Sequence, residues 1–586
     1  MVNEKNSLIA MRHSTEHVLT QAMLKLFTKV KMAMGPATDE GFYFDFDYDG
    51  KITENDFEKI ENEMHTIADK NLPIKQKIVS VNEAKKIFAG NEYKLEWICD
   101  IEKRGEKVSI YETGDEFVDL CAGPHVPSTG KIGFFKLLSV AGAYWHGDEK
   151  NKMLTRIYGT SFSTKKELEE YLKNQQEAKE SDHRTIGKNL NLFVFSDLVG
   201  KGLPLLTDKG ATIKRELERF IVDEEIKRGY KHVVTPHLAK TDLYKTSGHY
   251  PYYKDTMYPL MKVDEEELIL RPMTCPHHFM IYSSQLRSYK ELPLRIAEIA
   301  SQFRYEKSGE LTGLVRIRTF TLNDAHIFVE PEKVKEEIKN VLDLIDYANG
   351  VLGLERGKDY RFRLSLGNKD DDKKYYKDDN AWDNAEKALK EVLIETKAPF
   401  YEARGEAAFY GPKIDVQVKK INGKEETAFT VQYDFVMPKR FDLKYIDAQG
   451  QVKQPIVIHR AAIGCLERTI AFLIEKFKGN FPTWLSPVQV KVLPISKRHI
   501  TYANEVTTKL RNERIRVEID ERNATLPGKI RDAQMEKVSY MVVVGDKELK
   551  NNTITVRARS EKDYGECKIE EFIKNIQTEI DKKIIN

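Results

Sequence analysis

The chain has 586 residues, of which 41% are hydrophobic and 32% charged, so its composition is that of a folded protein and not of a disordered or fibrous one. It carries 94 basic and 92 acidic side chains, and the net charge of +2 gives no global field for a polyanion, so any nucleic-acid binding must be local. The sequence has no apolar run of roughly 18 to 20 residues and no signal-peptide pattern, from which we expect an intracellular, cytoplasmic protein.

The cysteines favour no disulfide framework, because they are sparse, odd in number and without short CxxC spacing. A chain of this length predicts roughly four structural units of about 150 residues each. We therefore expect several domains, in which the cysteines serve as core thiols or as metal ligands. They are Cys99, Cys121, Cys275, Cys465 and Cys567.

The first segment, residues 1–163, predicts an α+β domain. Apolar residues at helical spacing run from Leu8 to Leu24, and the aromatic alternation FYFDFDY after a turn predicts a strand. Short strands and turns continue through 106–160. From 164 to 188 the sequence becomes charged and helical with few apolar anchors, which predicts a solvated linker helix.

Residues 189–485 predict a larger, strand-rich domain. A long amphipathic helix over 209–229 precedes a strand that ends at Pro236. After a proline-containing turn, strands alternate with helices to the end of the chain. We therefore predict a small α/β domain over 486–586.

Three residues of the central region are candidate metal ligands, although they are far apart in sequence. Cys275 lies in RPMTCPHHF, His326 in LNDAHIFVE and His459 in PIVIHRAAIG, each at or beside an apolar strand. One thiolate and two imidazoles can bind Zn²⁺ with a fourth position open, which is typical of a functional zinc site. Two alternatives stay open: histidines that are only structural, and Cys275 as a nucleophile beside a histidine.

Arginines in otherwise apolar strands form a second group of candidates. A buried arginine is unfavourable unless it meets an anion, so several together indicate either internal ion pairs, the commoner case, or a polyphosphate pocket. The segment 295–328 predicts two strands joined by a glycine-containing loop, with arginines on both arms. The candidates are Arg304, Arg316, Arg318 and Arg468.

The first domain carries its own set of ligand-type side chains. His13 and His17 are four residues apart, which places both imidazoles on one face of a helix. Cys121 and His125 repeat the spacing and add a thiol and a third imidazole. Such a quartet can bind zinc tetrahedrally. A plain buried zinc or core cluster is the structural alternative.

These residues resemble a known family. The helix and strand ending at Pro236, the element FRYE with its return strand GLVRIRTF, and AAIGCLER resemble motifs 1, 2 and 3 of class II aminoacyl-tRNA synthetases. TCPHH, DAHIF, FYGPKIDV, VIHRA and DHRTIGKNLNLF make the resemblance specific to the threonyl-tRNA synthetase family and extend it over nearly the whole chain. It implies a multidomain α+β protein with an editing domain, a linker helix, a class II catalytic core built on an antiparallel sheet, and an α/β anticodon-binding domain.

The resemblance implies roles for the arginines and a reaction. The family binds ATP with Mg²⁺, joins the threonine carboxylate to its α-phosphate and transfers the threonyl group to tRNA(Thr). By position, Arg304 is expected at the α-phosphate, Glu306 at the adenine amine and Arg468 at the γ-phosphate, with Arg316 assisting. Fixed arginines that stabilise the charge at phosphorus are expected to dominate the catalysis.

The resemblance also implies Zn²⁺ on Cys275, His326 and His459, taking the amino and hydroxyl groups of threonine. The hydroxyl is expected to donate to Asp324, and the pocket to be lined by Tyr410, Lys413 and Gln432. A site that demands a hydroxyl rejects valine by about 10⁴ to 10⁵. Serine differs by one methyl, worth only about 1 to 3 kcal/mol, so a second, hydrolytic site is needed.

The first-domain quartet resembles the editing site of threonyl- and alanyl-tRNA synthetases, which hydrolyses seryl-tRNA. The alanyl site carries zinc, whereas resemblance to threonyl enzymes favours a metal-free site that uses water, with Asp119 helping to orient the substrate.

In the last domain, Glu548 and Arg557 match positions that read anticodon bases. The helix and strand before Pro236 resemble the class II dimer interface, which implies a homodimer.

The sequence departs from the family in several places. Thr319 and Leu322 stand where the family commonly has glycine and glutamine, in the strand that faces the amino acid, and Leu322 can neither donate nor accept a hydrogen bond. His277 replaces a common glycine, and we expect no chemical consequence from it. Because the editing motif begins at His13, the ubiquitin-like domain of many members is expected to be absent.

Three rival functions predict different features. A synthetase-like RNA-binding regulator without catalysis has no need for Arg304, Glu306, Arg468 and the three ligands. A zinc hydrolase centred on the first-domain quartet leaves the arginine hairpin unexplained. A prolyl- or seryl-type synthetase shares the ATP residues but gives no reason for the Cys/His/His set.

Overall fold

A computed structural model describes residues 2–371, 373–560 and 562–585. The chain divides into two compact units, Met1–Gln176 and Glu177–Asn586, and the division falls within a long charged helix. Among the described residues, none of the helices combines the length and the apolar character that a membrane span requires.

The first unit is α+β, as the sequence predicts. Helix α1 buries Val18, Leu19 and Met23 against aromatic residues of a four-stranded sheet, of order β1-β2-β7-β6, and β3-β4-β5 form a second sheet. The elements are α1 (Val2–Leu26), β1 (Lys31–Met32), β2 (Phe42–Asp47), α2 (Phe57–Asp69), β3 (Ile74–Val79), α3 (Val81–Ile87), α4 (Glu92–Lys103), β4 (Val108–Thr113), β5 (Phe117–Leu120), β6 (Phe134–Tyr144), β7 (Met153–Phe162) and α5 (Lys165–Glu180).

The second unit is built on an eight-stranded, largely antiparallel sheet of order β10-β15-β16-β23-β20-β19-β17-β18. Its helices are α6 (His183–Asn189), α7 (Asp208–Lys227), α8 (Thr241–Ser247), α9 (His249–Tyr252), α10 (Cys275–Ser283), α11 (Val334–Val351), α12 (Asp379–Glu395), α13 (Met437–Arg440) and α14 (Leu466–Phe477). The strands are β8 (Phe193–Val194), β9 (Leu205–Leu206), β10 (Lys231–His232), β11 (Leu238–Lys240), β12 (Met261–Val263), β13 (Glu266–Leu270), β14 (Arg287–Ser288), β15 (Leu294–Phe303), β16 (Thr319–Val329), β17 (Tyr360–Leu366), β18 (Phe400–Arg404), β19 (Lys413–Lys419), β20 (Glu425–Asp434), β21 (Tyr445–Ile446), β22 (Val452–Lys453) and β23 (Ile456–Ala461).

The two faces of this sheet pack on different helices, because side chains alternate along each strand. On β16, Ala325 and Ile327 join the core that also contains residues of α7, α11 and α14. His326 and Phe328 lie on the opposite face, where Phe279 of α10 packs against both rings. The candidate ligands therefore lie on the face covered by α10.

The end of the chain forms a five-stranded α/β sheet of order β25-β24-β26-β27-β28, as the sequence predicts. Its elements are β24 (Val490–Pro494), α15 (Ile500–Asn512), β25 (Val517–Ile519), α16 (Leu526–Met535), β26 (Tyr540–Val544), α17 (Asp546–Asn551), β27 (Ile554–Ala558), β28 (Asp563–Cys567) and α18 (Ile569–Asp581). Single turns of 3-10 helix lie at Glu54–Asp56, Thr129–Lys131, Trp145–Gly147, Lys254–Thr256, Tyr289–Glu291, Ser308–Glu310, Pro331–Lys333 and Lys497–His499.

The predicted arginine hairpin is β15 and β16, but its arginines lie outside the strands. Arg304 follows the last residue of β15, Arg316 and Arg318 precede β16, and Arg468 lies on α14. The expectation of arginines within apolar strands was therefore wrong. Arg304, Arg316 and Arg318 therefore lie at the loop end of the hairpin.

Candidate functional sites

Strand register places four polar side chains in one row on the sheet face covered by α10. His326 on β16 pairs with His459 on β23. His459 in turn pairs with Gln432 on β20, which pairs with Lys413 on β19. Because directly paired residues of antiparallel strands share a face, residues far apart in sequence form one polar stripe.

Cys275 joins this row from above the sheet. It is the first residue of α10, and Pro276, which needs no hydrogen-bond acceptor for its nitrogen, occupies the first turn. The ligand-type atoms of Cys275, His326 and His459 all lie within 4.8 Å of one another, and the three side chains are buried. The structure therefore brings together the three central residues that the sequence singles out.

A chain of hydrogen bonds orients the ring of His326. Its Nδ1 lies 2.8 Å from Nδ1 of His278, whose Nε2 lies 3.2 Å from a carboxylate oxygen of Glu298. Burial alone would raise the pKa of Glu298, but hydrogen bonds from His278 and Thr235 and the charge of Arg271 lower it to about 2. An ionised Glu298 makes His278 donate from Nε2 and accept at Nδ1, so His326 donates from Nδ1 and keeps the lone pair of Nε2.

Asp434 orients the second imidazole in the same way. Its Oδ2 lies 2.8 Å from Nε2 of His459, and its Oδ1 accepts hydrogen bonds from the backbone N–H groups of Val436 and Met437, each at 2.9 Å. The bond at Nε2 leaves Nδ1 of His459 as the ligand atom. A histidine ligand whose other nitrogen donates to a carboxylate is typical of metal sites.

The protonation states of this cluster fit a cation. Burial lowers the pKa of His326 well below its usual value, so the ring is neutral, as a metal ligand must be. Burial and the nearby charges of Asp324 and Asp434 raise the pKa of the Cys275 thiol well above its usual value. A bound cation would lower the pKa of this thiol again, because the cation stabilises the negatively charged thiolate that ligates it. Two imidazoles and one thiol are a donor set that suits Zn²⁺.

The expected pocket residues surround this cluster. Asp324 is buried, and its Oδ1 lies 3.9 Å from Nε2 of His326. The ring of Tyr410 lies 5.0 Å from the ring of His459, and its hydroxyl donates to Oε1 of Gln432. Lys413 is held by Asp415, with Nζ 2.8 Å from Oδ2. The sequence candidates for the pocket therefore lie together.

The four arginines differ in their partners. Arg316 forms ion pairs with Glu306 at 2.9 Å and Glu310 at 3.2 Å, which is the alternative of internal pairing. Arg318 donates to the backbone carbonyl of Glu306.

Arg304 and Arg468 make no such pairs. Arg304 donates to the carbonyl of Pro272, and Arg468 donates to the carbonyls of Val315 and Thr427. No carboxylate of the described residues lies within ion-pair distance of either one. Burial lowers the pKa of Arg304, the charge of Glu306 opposes this shift, and the charge of Arg468 adds to it. Two neighbouring cations without a carboxylate partner form a place for an anion.

The quartet of the first unit is assembled from α1 and from the segment after β5. Sγ of Cys121 lies 3.3 Å from Nε2 of His13 and 3.2 Å from Nε2 of His125. The ring centroids of His125 and His17 are 4.2 Å apart. Nδ1 of His125 lies 3.0 Å from Oγ of Ser14. The pair His13 and His17 and the pair Cys121 and His125, which the sequence singles out, therefore meet in one cluster.

The groups of this cluster are neutral at physiological pH. Burial lowers the pKa of His13 to about 4 and that of His125 to about 3, and it raises the pKa of Cys121 to about 12. Neutral imidazoles can accept a hydrogen bond from water or bind a metal. Both the metal-free and the zinc hypothesis therefore stay open.

Two carboxyl side chains, of Asp119 and Glu16, lie against the quartet. Asp119 is 2.5 Å from Nζ of Lys94, and its second oxygen is 4.0 Å from Nε2 of His17. Glu16 is buried, and its Oε2 lies 3.8 Å from Nε2 of His13. Sequence reasoning missed Lys94 and Glu16. The signal for Glu16 was a carboxylate between two histidines on one helix.

The two candidate base-reading residues differ in their surroundings. Glu548 is only 8% exposed, and its two oxygens accept hydrogen bonds from Gly545 N–H at 2.8 Å and from the Thr555 hydroxyl at 2.7 Å. It thus caps α17. Arg557 on β27 is half-buried, and within the described part of the chain its side chain forms no hydrogen bond or ion pair. Arg557 is therefore the freer of the two.

Sequence reasoning also missed the residues that orient the metal candidates: His278, Glu298 and Asp434. Each was visible as a polar residue in an apolar segment, CPHHF, RIAEIAS or VQYDFVM. Such a residue indicates a buried partner, but the partner is identified only by the strand register.

Three family descriptions match successive parts of the chain. Residues 108–158 match the "Threonyl and Alanyl tRNA synthetase second additional domain". Residues 258–477 match the "tRNA synthetase class II core domain (G, H, P, S and T)", and residues 489–579 match an "Anticodon binding domain". These matches follow the order of the predicted domains.

The chain is also similar to individual proteins over nearly its full length. It is 52% identical to a threonine-tRNA ligase of Geobacillus kaustophilus over 580 residues, which covers 98% of this chain and 88% of the relative. It is 52% identical to a threonine-tRNA ligase of Staphylococcus carnosus over 576 residues, with the same shares covered. The crystal structure of the RNA binding domain of threonyl-tRNA synthetase from Cryptosporidium parvum covers 68% of this chain and 98% of its own, at 36% identity and a TM-score of 0.64.

Proposed function

The chain belongs to the threonyl-tRNA synthetase family, and from this premise we propose that Cys275, His326 and His459 hold a zinc ion at the threonine pocket. The chain is a threonine-tRNA ligase: it joins threonine to tRNA(Thr) through a threonyl-adenylate, consuming ATP with Mg²⁺, and it edits mischarged seryl-tRNA. The observation that carries the zinc proposal is the convergence of one thiol and two oriented imidazoles from α10, β16 and β23.

A zinc ion bound to these residues would supply a Lewis acid with an open coordination position, which favours an amino acid that carries both an amine and a β-hydroxyl. The protein's own residues complete the selection. Asp324 accepts the hydrogen of the threonine hydroxyl, and Tyr410 and Gln432, joined by a hydrogen bond, line the pocket beside His459. Lys413, fixed by Asp415, provides a positive charge at the far end of the row.

This arrangement accounts for discrimination against valine. Valine brings no donor to the buried carboxylate of Asp324, and sites built to bind a hydroxyl reject analogues lacking it by about 10⁴ to 10⁵. Serine satisfies Asp324 and loses only packing with one methyl, worth about 1 to 3 kcal/mol. The pocket therefore needs the editing function of the first unit.

For ATP, we assign Arg304 to the α-phosphate and Arg468 to the γ-phosphate. Both guanidinium groups lack a carboxylate partner within the described residues and lie close enough for their charges to interact. Arg316 assists from the loop, and Glu306, which it contacts, receives the adenine amine. The fixed positive charges oppose the negative charge that builds at phosphorus during adenylate formation.

For editing, we assign the hydrolysis of seryl-tRNA to His13, His17, Cys121 and His125, with Asp119 orienting the substrate. The support is a cluster of neutral imidazoles around one thiol, which can hold a water molecule by hydrogen bonds. Lys94 fixes Asp119 beside it. In the last domain, Arg557 offers free donors to anticodon bases, and Glu548 can accept a hydrogen bond from a base only by giving up its role as a cap.

We also propose domains at 1–163, 164–188, 189–485 and 486–586, a homodimer and a cytoplasmic location, where translation uses the product. Support for the dimer is Val234, whose apolar side chain is 94% exposed just before Pro236. An apolar group so exposed at the segment that resembles the class II dimer interface indicates a partner surface.

The test is a pyrophosphate-exchange screen over amino acids combined with elemental analysis of the purified protein. We expect exchange with threonine, weak exchange with serine, none with valine, and one equivalent of zinc per chain. Zinc-free preparations that still activate threonine and reject valine would overturn the metal assignment. Absence of amino-acid-dependent exchange would favour an RNA-binding regulator without catalysis.

A further inference from the structure

A buried glutamine lies beside the candidate threonine pocket, at the end of β15. Gln302 is 1% exposed. Its Nε2 donates to Oγ1 of Thr274 at 3.0 Å and to Oδ2 of Asp324 at 3.3 Å. In this arrangement the nitrogen of the carboxamide is the end that faces Thr274 and Asp324.

The carbonyl end of this side chain is unsatisfied. Oε1 of Gln302 is buried and has no hydrogen-bond partner among the described residues. Buried amide oxygens are nearly always paired, because leaving one unpaired forfeits its bond with water. An acceptor of this kind beside Asp324 is ready for a donor that arrives with a ligand.

Strand register relates Gln302 to the departure at Leu322. Gln302 pairs with Phe320, and Ala300 pairs with Leu322, so residues 302 and 322 lie on the same face of the sheet, diagonally across neighbouring strands. Asp324 is on the same face, because it is two residues further along β16. An amide at 302 therefore reaches the space beside the residue where the family commonly has glutamine.

We propose that Gln302 is a specificity-determining residue that supplies from β15 the carboxamide missing at Leu322, and that its Oε1 accepts a hydrogen from the α-amino group of threonine. This rests on the proposed threonine pocket. An acceptor selects a donor, and threonine brings only two, its hydroxyl and its amine. The hydroxyl is assigned to Asp324, which leaves the amine for Gln302. The same carboxamide holds Asp324 in place through Nε2.

The experiment compares Gln302→Met, which keeps the shape and removes both polar groups, with Gln417→Met as a matched control. Gln417 is 4% exposed in the same sheet and donates to Thr427 at 2.6 Å, so its loss also removes a buried amide. We expect the KM for threonine in pyrophosphate exchange to rise about 10-fold to 100-fold in Gln302→Met, with the KM for ATP unchanged. Gln417→Met should leave both KM values near wild type.

A double variant tests the relocation directly. Gln302→Met with Leu322→Gln returns the carboxamide to β16 and should recover most of the threonine KM. A double variant no better than Gln302→Met overturns the relocation. Equal rises in the KM values for threonine and ATP would indicate a general structural defect and would also overturn it.

A threonine analogue tests the assignment to the amine. 3-Hydroxybutanoate has the hydroxyl and carboxylate but no amine, so Gln302→Met should weaken its binding only through the lost contact between Nε2 and Asp324, and therefore by a smaller factor than it weakens the binding of threonine. Equal weakening of the analogue and threonine overturns the assignment. Failure of this inference is distinguishable from failure of the proposed function: the former leaves the wild-type enzyme zinc-loaded and active with threonine, whereas the latter appears in the wild type itself.

Discussion

At the scale of residues, the candidate metal centre depends on which ring nitrogen each histidine keeps free. Glu298 acts through His278 on His326, and Asp434 acts directly on His459, so both rings have one nitrogen engaged. The remaining nitrogens and the thiol of Cys275 converge. Ligand geometry is thus fixed before any ion or substrate binds, which lowers the cost of ordering the site.

Cys275→Ala tests this centre. We expect kcat/KM for threonine in pyrophosphate exchange to fall by roughly 100-fold or more, because several kcal/mol of substrate binding depends on the ion. Hydrolysis of pre-made seryl-tRNA should stay near wild type, since the proposed editing residues lie in the other unit. Cys99→Ala, a change at a half-buried thiol away from both clusters, is the control. Equal loss of both activities would contradict a separation of the two chemistries.

Cys121→Ala tests the quartet, because this thiol contacts both His13 and His125. The variant should retain threonine activation and accumulate seryl-tRNA. Without editing, serine should be charged at an efficiency roughly 10-fold to 200-fold below that of threonine, the discrimination that one methyl provides. Charging assays with labelled serine measure the product, and His17→Ala should behave alike. Normal proofreading in both variants would place editing elsewhere.

At the scale of elements, a buried ion pair fixes α7 against the strand that carries His459. Nη1 of Arg460 lies 2.6 Å from Oε1 of Glu225, and both side chains are fully buried. His232 and Asn323 also contact Glu225, at 2.8 and 2.9 Å. The register of β23, and with it the position of His459, is therefore tied to the helix beneath the sheet.

Glu225→Gln should destabilise the second unit by about 3 to 5 kcal/mol, because Arg460 is left as an uncompensated buried charge. Denaturant unfolding followed by tryptophan fluorescence measures the change. The matched control is Glu224→Gln on the same helix, whose partner Arg228 is partly exposed, and it should stay within about 1 kcal/mol of wild type. A Glu225 variant as stable as that control would show that the pair does not hold α7 in place.

At the scale of the whole molecule, the two candidate clusters lie in different units of the chain. The class II core provides the sheet on which the ligands, pocket residues and arginines meet, and the first unit holds the quartet. At this scale we also propose that two copies of the chain form a homodimer.

Val234→Asp tests the dimer. A charge at a 94% exposed apolar position should weaken a subunit interface by at least several-fold, because an unpaired carboxylate is poorly tolerated when buried. Sedimentation equilibrium measures the dissociation constant. Val263→Asp, at a 50% exposed position on β12, is the control and should leave association unchanged. Identical association in wild type and both variants would remove Val234 from the interface.

The sequence by itself determined the types of element, their order, the ligand-type residues and the family. Periodicity predicted α1, the β15–β16 hairpin and the α/β end of the chain, because spacing along one element is a local property. The motifs around Cys275, His326 and His459 indicated three residues whose ligand-type atoms lie within 4.8 Å of one another in the structure. The roles of these residues remain predictions that the experiments above test.

Only the tertiary structure decided which partners these residues have. It separated Arg316, which is paired with Glu306, from Arg304 and Arg468, and it placed Gln302 beside Asp324. It also showed Glu548 as a cap. The physical reason is that such contacts join residues from different strands, and their distances depend on register and packing rather than on spacing along the chain.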